Sequence, residues 1–240
     1  MTKAKKTLLI SIVVIFLIIA VKFTTFKIKE YEDKAVRPVE NFSEFTINTF
    51  PVGWRSRGGN GEEVYSVKSE GEKYLEAIAN SSAVTIAKKF EYDLLEYPIL
   101  SWQWRVIELP QGGDERYKRT GDSGAGIYVI FPGLLFPESI KYVWSSSLPL
   151  SSTTESPYNG DTKVMVLRNH TSPLGTWLSE KVNVYEDYKK LFGHEPEEVI
   201  AIGLMSDSDN TKSRAVAHYK KLEVSKKNIL EKVLCNLDIC

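Results

Sequence analysis

The sequence is poor in the residues that build disulfide frameworks and nucleophilic sites. Its 240 residues contain three histidines and only two cysteines, Cys235 and Cys240. Both cysteines lie near the C-terminus, where they would form a small terminal disulfide in an oxidising compartment or remain free thiols. There is no G-x-S-x-G motif around a serine, no H-E-x-x-H motif and no phosphate loop with its lysine. These absences argue against nucleophilic catalysis.

The chain also lacks a surplus of charge of either sign. Lysine plus arginine and aspartate plus glutamate both total 31, so the formal net charge is zero. A dedicated nucleic-acid-binding protein normally carries a basic surplus, so we expect no nucleic-acid partner. The length and the hydrophobic content of 42% suffice for one main globular domain with short appendages.

One uncharged apolar run lies near the N-terminus. Residues 7–21 (TLLISIVVIFLIIAV) follow three lysines and precede Lys22. A basic segment followed by an apolar run is typical of an export signal, so residues 1–22 are predicted to be a signal anchor or a cleaved signal peptide. The run is short for a spanning helix, but flanking lysines can extend it by snorkelling. We expect the domain on the outer, periplasmic side of the inner membrane, anchored through residues 7–21, or secreted if the segment is cleaved.

Short apolar stretches separated by turn residues occupy most of the remaining chain. In 98–109 (PILSWQWRVIEL), alternate residues are apolar and polar, as in a strand with one buried face. The stretch 125–131 (AGIYVIF) would be apolar on both faces of a strand, which favours a strand in the centre of a sheet. Such a pattern predicts an all-β fold, an antiparallel β-sandwich. The predicted strands lie at 64–67, 73–79, 83–90, 98–109, 125–131, 140–144, 163–167, 176–184, 199–205 and 215–224.

Two helices are predicted besides the N-terminal one. Asn183 and Glu186 form a capping-box pattern, and Gly193 suits the end of a short inserted helix. An apolar stripe over 226–237 predicts a C-terminal amphipathic helix. The chain is predicted to consist of a signal segment at 1–22, a linker at 23–41, a β-sandwich domain at 42–224, and a C-terminal helix and tail at 225–240.

Four segments form an ordered set: WQWRVIELPQGGDE (102–115), GDSGAGIYVIF (121–131), GTWLSEKVNVYEDYKKLFGHEP (175–196) and IGLMSDSDNT (202–211). Together they resemble the DUF3047 family of mostly bacterial, exported proteins of unassigned function. The resemblance covers roughly residues 42–224 and implies a sandwich of jelly-roll type, the shape of many carbohydrate-binding modules. The chain departs from the family pattern at Ser123, where a second aspartate is usual, and at Gly126, where an arginine is usual.

The segment SDSDNT at 206–211 follows an apolar strand and is rich in oxygen ligands. Asp207 and Asp209 have the spacing of the first two ligands of an EF-hand, but Lys212 and His218 stand where that loop needs glycine and glutamate. An EF-hand is therefore excluded. A calcium loop of another kind, with Asp207 and Asp209 as metal ligands, a polar turn and a ligand-binding loop all stay open.

The charged loop 112–122 would gain a function if the sandwich brought it near 206–211. Two carboxylates about 5–10 Å apart would have glycosidase geometry, and carboxylates sharing one cavity would suit a cation. An arginine on the polar face of 98–109 suits a carboxylate or phosphate, and tryptophans suit sugar rings. Trp102 and Trp104 are expected in the core, and Trp54 and Trp144 at the surface. The candidate ligand-binding residues are Trp104, Arg105, Asp114, Arg119, Asp122, Trp144, Asp207, Asp209 and Asn210.

These features predict a non-catalytic, membrane-anchored, exported β-sandwich that binds a saccharide or envelope glycan, with calcium as the candidate cofactor. Fold analogy alone does not establish a function, so two other interpretations stay open. One is a carboxylate-dependent glycan hydrolase or lyase. The other is a structural envelope protein that acts through protein partners.

Overall fold

The computed structural model describes residues 17–23, 25–26 and 35–227. Residues 17–23 and 25–26 are helical, and in the part of the chain that is described no helix is long and apolar enough to cross a membrane. Pro38–Lys227 form one compact unit. Most of the predicted signal segment and of the predicted C-terminal helix, together with Cys235 and Cys240, lies outside the described residues.

The region 35–227 contains thirteen strands in two sheets. Their bounds are β1 Val36–Glu40, β2 Arg55–Arg57, β3 Tyr65–Glu70, β4 Glu72–Asn80, β5 Ala83–Tyr92, β6 Ile99–Glu108, β7 Ala125–Phe131, β8 Glu138–Trp144, β9 Thr153–Glu155, β10 Thr162–Arg168, β11 Leu178–Asn183, β12 Val199–Asp207 and β13 Arg214–Ser225.

The strands pair in a fixed order within each sheet. Sheet A has the order β11-β6-β13-β4-β3, with β1 also paired to β13, and sheet B has the order β2-β5-β12-β7-β8-β10-β9. Neighbours in sheet B run antiparallel except β8 and β10, which run parallel. The predicted all-β sandwich is confirmed.

The core lies between the two sheets and follows the alternation of side chains along the strands. Leu100, Trp102, Trp104 and Val106 of β6 all point inward and are fully buried, as the parity of that segment predicts. Trp102 meets Trp104 edge-on, with their ring centroids 5.3 Å apart. The inward-facing residues of β6 therefore form the part of the core that sheet A contributes at its centre.

Two tryptophans predicted at the surface are buried, so that prediction is wrong. Trp144 ends β8, which lies inside sheet B between β7 and β10, and its Nε1 donates to Asn169 O at 3.1 Å. Trp54 stacks on Phe42, and its Nε1 donates to Glu40 Oε2 at 3.2 Å. Both indole groups are buried with a hydrogen-bond partner, as Trp N–H groups usually are.

The short inserted helix forms where its capping residues predict it. This helix spans Val184–Phe192, the Asn183 side chain accepts from Glu186 N at 3.3 Å, and Gly193 ends it with a φ of 79°. Glycine reaches that left-handed conformation at little cost. The predictions missed β1, which lies inside the predicted linker, the short strands β2 and β9, and a one-turn helix at Gly61–Val64.

Candidate functional site

A cavity of about 200 Å³ opens on the outer face of sheet B. Its floor is made by Tyr128 of β7, Lys141 of β8, Val164 of β10 and Met205 of β12. On these strands the alternate residues, such as Ile127 and Ile140, point into the core. The pleat therefore turns the cavity side chains away from the core, and the loops that follow the strands form the walls.

Three aspartates, here called the acidic triad, meet beside this cavity: Asp207 and Asp209 line it, and the fully buried Asp122 adjoins them. Asp122, Asp207 and Asp209 each offer a carboxylate oxygen, and these oxygens lie within 4.8 Å of one another. Asp122 joins the two loops involved, because it accepts from Asn210 N at 3.2 Å and from Thr211 N at 2.8 Å. The sandwich thus brings the end of the charged loop 112–122 against the SDSDNT segment.

Two buried carboxylates face the cavity with an oxygen that lacks a partner. Asp207 is 4% exposed and Glu115 is 2% exposed. Glu115 Oε2 accepts from Ser145 Oγ at 2.6 Å, but Glu115 Oε1 and Asp207 Oδ1 have no hydrogen-bond partner. Because a buried polar atom without a partner is costly, a polar group bound in the cavity would stabilise these two oxygens.

The crowding of carboxylates changes the proton affinity of Asp207. Burial raises the pKa of Asp207 to about 8, with Asp122 and Asp209 adding to the shift and Lys141 opposing it. Burial also raises the pKa of Glu115 above its ordinary value. Desolvation and like charges both disfavour the ionised form of a carboxyl, so Asp207 retains a proton near neutral pH when only protein groups surround it.

Lys141 brings a buried ammonium group to the same cavity. Its Nζ donates to Ser123 Oγ at 3.3 Å and lies 5.5 Å from the centroid of the Tyr128 ring. Burial alone would lower the pKa of Lys141, but Tyr128, Asp207 and Glu115 around it raise the pKa above its ordinary value. The ammonium therefore stays charged and offers donors to an occupant of the cavity.

Tyr158 forms an exposed part of the rim. Its hydroxyl donates to Lys118 O at 2.7 Å and contacts the side chain of Asn210, which also lines the cavity. Burial and the nearby acidic triad raise the pKa of Tyr158 to about 12. Across the cavity, the hydroxyl of Tyr128 contacts Met205 Sδ at 3.4 Å. Two phenol rings thus border a group of charged side chains.

The structure gathers only some of the residues predicted for the site. Asp122, Asp207, Asp209 and Asn210 come together at the cavity. The other predicted residues do not join them.

Trp104 and Trp144 are core residues, so the prediction that they contact a ligand is wrong. Asp114 forms an ion pair with Arg116 at 2.7 Å within its own loop. Arg119 is exposed on the short 3-10 turn Lys118–Thr120.

Arg105 lies on the outer face of sheet A, the opposite side of the sandwich. Its Nε donates to His218 Nδ1 at 2.8 Å, and its Nη2 lies 2.5 Å from Glu70 Oε2. The guanidinium also stacks 4.7 Å from the centroid of a Trp177 ring. The expected role of Arg105 in anion binding is therefore replaced by contacts within the protein.

Sequence reasoning missed four residues of the cavity: Tyr128, Tyr158, Lys141 and Glu115. One of them carried a signal, because Lys141 is a single charge inside the otherwise apolar strand IKYVW. A buried lysine needs compensating groups, and such an interruption therefore indicates a site. Glu115 carried no such signal, since it stands in a loop rich in charges that are mostly exposed.

The fold and site define a β-sandwich with a carboxylate-rich cavity on the outer face of one sheet. The family described as "Protein of unknown function (DUF3047)" matches residues 52–223. The chain belongs to this family. The two positions that are expected to depart from the family pattern both adjoin Lys141. A Cβ on Gly126 would lie 3.0 Å from Lys141 Cε, and Ser123 Oγ accepts from Lys141 Nζ.

Several solved structures share the β-sandwich architecture at low identity. A carbohydrate-binding module of the β-sandwich superfamily is 11% identical over 78% of this chain and 60% of that chain, with a TM-score of 0.41. A family 11 carbohydrate-binding module of a Clostridium thermocellum cellulase is 7% identical over 80% of this chain and 95% of that chain, with a TM-score of 0.40.

A family 30 carbohydrate-binding module from a cellulosomal cellulase of the same organism is 11% identical over 75% of this chain and 95% of that chain, with a TM-score of 0.43. These likenesses are too distant to indicate a ligand. No curated protein matches the chain in sequence.

Proposed function

We propose that the protein binds a saccharide in the cavity on the outer face of sheet B and does not catalyse its conversion. One observation carries this proposal: two tyrosine rings stand beside charged and amide side chains that line one small cavity. The proposal concerns binding at this cavity and does not depend on the type of glycan.

The chemistry of the lining matches that of a sugar ring. Each sugar hydroxyl both donates and accepts hydrogen bonds, so a sugar site needs side chains of both kinds. Lys141 and the Asn210 amide supply donors, whereas Asp209, Asp207 and Glu115 supply acceptors. Buried donors and acceptors of this kind give specificity because a ligand that leaves them unpaired binds poorly.

Tyr158 is placed to provide the apolar contact. Its ring is half exposed at the rim, and its hydroxyl is held by Lys118 O at 2.7 Å, which fixes the orientation of the ring. A fixed aromatic ring presents a flat face to the C–H groups of a pyranose and loses little entropy on binding. Tyr158 is therefore the proposed stacking residue.

The size of the cavity limits the ligand. Its volume of about 200 Å³ is below the roughly 300–1,000 Å³ that holds a drug-sized ligand. One sugar ring would fill it, and the rest of a longer glycan would lie in solvent beyond Tyr158. We propose recognition of a terminal or single exposed sugar unit.

The proposed location is the outer side of the cell membrane. The lysines before the apolar run at 7–21 favour retention of the N-terminus in the cytoplasm and export of the domain. An exported domain that is tethered to the membrane would meet envelope glycans, which makes them the proposed ligands.

One observation favours a second candidate function, a carboxylate-dependent glycan hydrolase or lyase. Asp207 holds a proton up to a pH of about 8 while its neighbours Asp122 and Asp209 are acidic groups within 4.8 Å. A buried carboxyl that keeps its proton near neutral pH has the property required of a general acid. If the protein is an enzyme, Asp207→Asn will abolish turnover and leave glycan binding measurable.

The test is a glycan array probed with the full-length chain, followed by calorimetric titration of the saccharides that bind. The array should contain hexoses, N-acetylhexosamines and uronic acids. We expect Tyr158→Ala to weaken binding by about tenfold or more, since stacking and buried contacts of one aromatic contribute about 1–3 kcal/mol.

Tyr117→Ala is the matched control, because Tyr117 is a similarly exposed tyrosine of the nearby loop that does not line the cavity. Its affinity should stay within about twofold of the wild type. Absence of any bound saccharide, or equal loss of binding in both variants, would contradict the proposal.

A further inference from the structure

We propose that the acidic triad of Asp122, Asp207 and Asp209 binds a divalent cation, with calcium preferred. The three carboxylates come from two separate parts of the chain, and the sandwich brings Asp122 against Asp207 and Asp209, which line the cavity. This inference does not require a bound saccharide, so it stands or falls independently of the proposed function.

The distances between the carboxylate oxygens fit a calcium ion. Calcium–oxygen distances are about 2.3–2.6 Å, so two ligands on opposite sides of the ion lie at most about 5 Å apart. The oxygens of Asp122, Asp207 and Asp209 lie within 4.8 Å of one another. A single ion between them would reach all three with little movement of the side chains.

An independent observation outside the acidic triad indicates that the cavity needs a polar occupant. Glu115 lines the same cavity and is almost completely buried, with 2% of its surface exposed. Its Oε1 has no hydrogen-bond partner. Calcium usually keeps water among its six to eight ligands. Such a water would supply the partner that Glu115 Oε1 lacks.

The set of buried groups supports the same inference. Four carboxyl groups, those of the acidic triad and Glu115, lie near the ammonium group of Lys141. Asp207 Oδ1 also has no hydrogen-bond partner in a position that is almost completely buried. Buried carboxylates are normally paired or coordinate a metal, and a divalent cation would provide such a partner.

The type of ligand atom determines the type of cation. The three ligand atoms of the acidic triad are carboxylate oxygens, which suit hard cations such as calcium and magnesium rather than zinc or copper. Magnesium requires a nearly ideal octahedron, whereas calcium accepts irregular sets of ligands. Asp122, whose oxygens also accept from Thr211 N at 2.8 Å and Thr211 Oγ1 at 2.5 Å, is fixed in position, so an irregular set favours calcium.

The experiment compares thermal melts of the full-length chain after treatment with EDTA, with and without added calcium chloride. Binding to the native state must raise the melting temperature. We expect a rise of about 3 °C or more in about 1 mM calcium. We expect a smaller rise with magnesium at the same concentration. Terbium luminescence excited through the nearby tyrosines measures binding to the same site directly.

Asp209→Asn is the decisive variant, because Asp209 is partly exposed at the rim and has the least effect on folding of the three. It should weaken calcium binding by about tenfold or more and remove most of the rise in melting temperature. Asp207→Asn should do the same, and its own melts with and without calcium remain comparable even if the variant is less stable.

Asp161→Asn is the matched control, since Asp161 lies in a different loop outside the cavity. This variant should keep the full response to calcium. The inference is overturned if calcium produces neither a rise in melting temperature nor terbium displacement, if Asp209→Asn responds like the wild type, or if magnesium is preferred over calcium.

Discussion

The outer faces of the two sheets carry similar charged and aromatic side chains but arrange them differently. On sheet A, Arg105 donates to His218 at 2.8 Å and stacks 4.7 Å from the centroid of the Trp177 ring. On sheet B, Lys141 lies among Glu115 and Asp207, each of which has a buried oxygen without a partner. On the first face the charged groups are paired with one another, and His218 Nε2, which forms no hydrogen bond, lies 3.3 Å from Glu76 Oε2. On the second face two carboxylate oxygens have no partner.

This difference separates a structural cluster from a candidate site. The ring of Trp177 on sheet A would be an obvious platform for a sugar, but Arg105 lies over it and Lys220 Nζ lies 4.4 Å from its centroid. Lys220 is in turn paired with Glu72 at 2.8 Å. Aromatic and charged groups on an outer face are therefore not sufficient to indicate a binding site.

The largest effect is expected from Lys141→Met on sheet B. Removing one partner from a buried group of charges leaves the others uncompensated, which costs about 3 kcal/mol of unfolding free energy. Urea denaturation at pH 7 measures the loss. Lys89→Met, at an exposed lysine of β5 in the same sheet, should change the unfolding free energy by less than about 0.5 kcal/mol. Equal effects of the two substitutions would contradict the compensating role of Lys141.

An intermediate effect is expected from pH on sheet A. Burial, assisted by Arg105 and opposed by Glu76, lowers the pKa of His218 to about 4. The unfolded chain binds a proton at this histidine below pH 6.5 while the folded chain does not, so stability falls as the pH is lowered from about 6.5 towards 4.

Between pH 6.5 and 5, the contribution of His218 to this loss should be about 1–2 kcal/mol. His218→Gln, which keeps an acceptor for Arg105, should make the decline shallower by that amount in urea denaturation. A decline of unchanged slope in this variant would show that His218 does not titrate between these pH values.

The smallest effect is expected from Arg105→Met, which keeps the apolar stem and removes the charge. Its ion pair with Glu70 is largely exposed on the glutamate side, and its ring contacts are partly solvated. Such contacts together contribute about 1 kcal/mol. A loss as large as that of Lys141→Met would remove the distinction between the two faces.

Most of the fold could be predicted from the alternation of apolar residues. The segment 125–131 is apolar at both parities and forms β7 with the same bounds, because a strand inside a covered sheet needs apolar residues on both faces. Trp144 could not be placed, since its burial depends on the neighbouring strand β10, whose position no local pattern reveals. The strand β1 was missed because Pro38 and the surrounding charges are typical of a linker.

Some residues of the site could be predicted and others could not, because the burial of the others depends on distant parts of the chain. Asp207 and Asp209 follow a strand in a conspicuous polar segment, and Asp122 precedes another strand, so their oxygen chemistry was visible. Glu115 was not, because its burial depends on Ser145 and on Lys141 of a different strand. Local sequence reports the type of a side chain, whereas the partners that bury it come from distant parts of the chain.

The most direct measurement of the central claim is a crystal structure of the protein with a saccharide selected on the array. The account predicts the sugar in the cavity on sheet B, stacked on Tyr158 and hydrogen-bonded to Lys141 and to Glu115 or Asp207. The account would be contradicted by a sugar bound elsewhere, for example on the outer face of sheet A beside Trp177, and by no sugar in the cavity on sheet B.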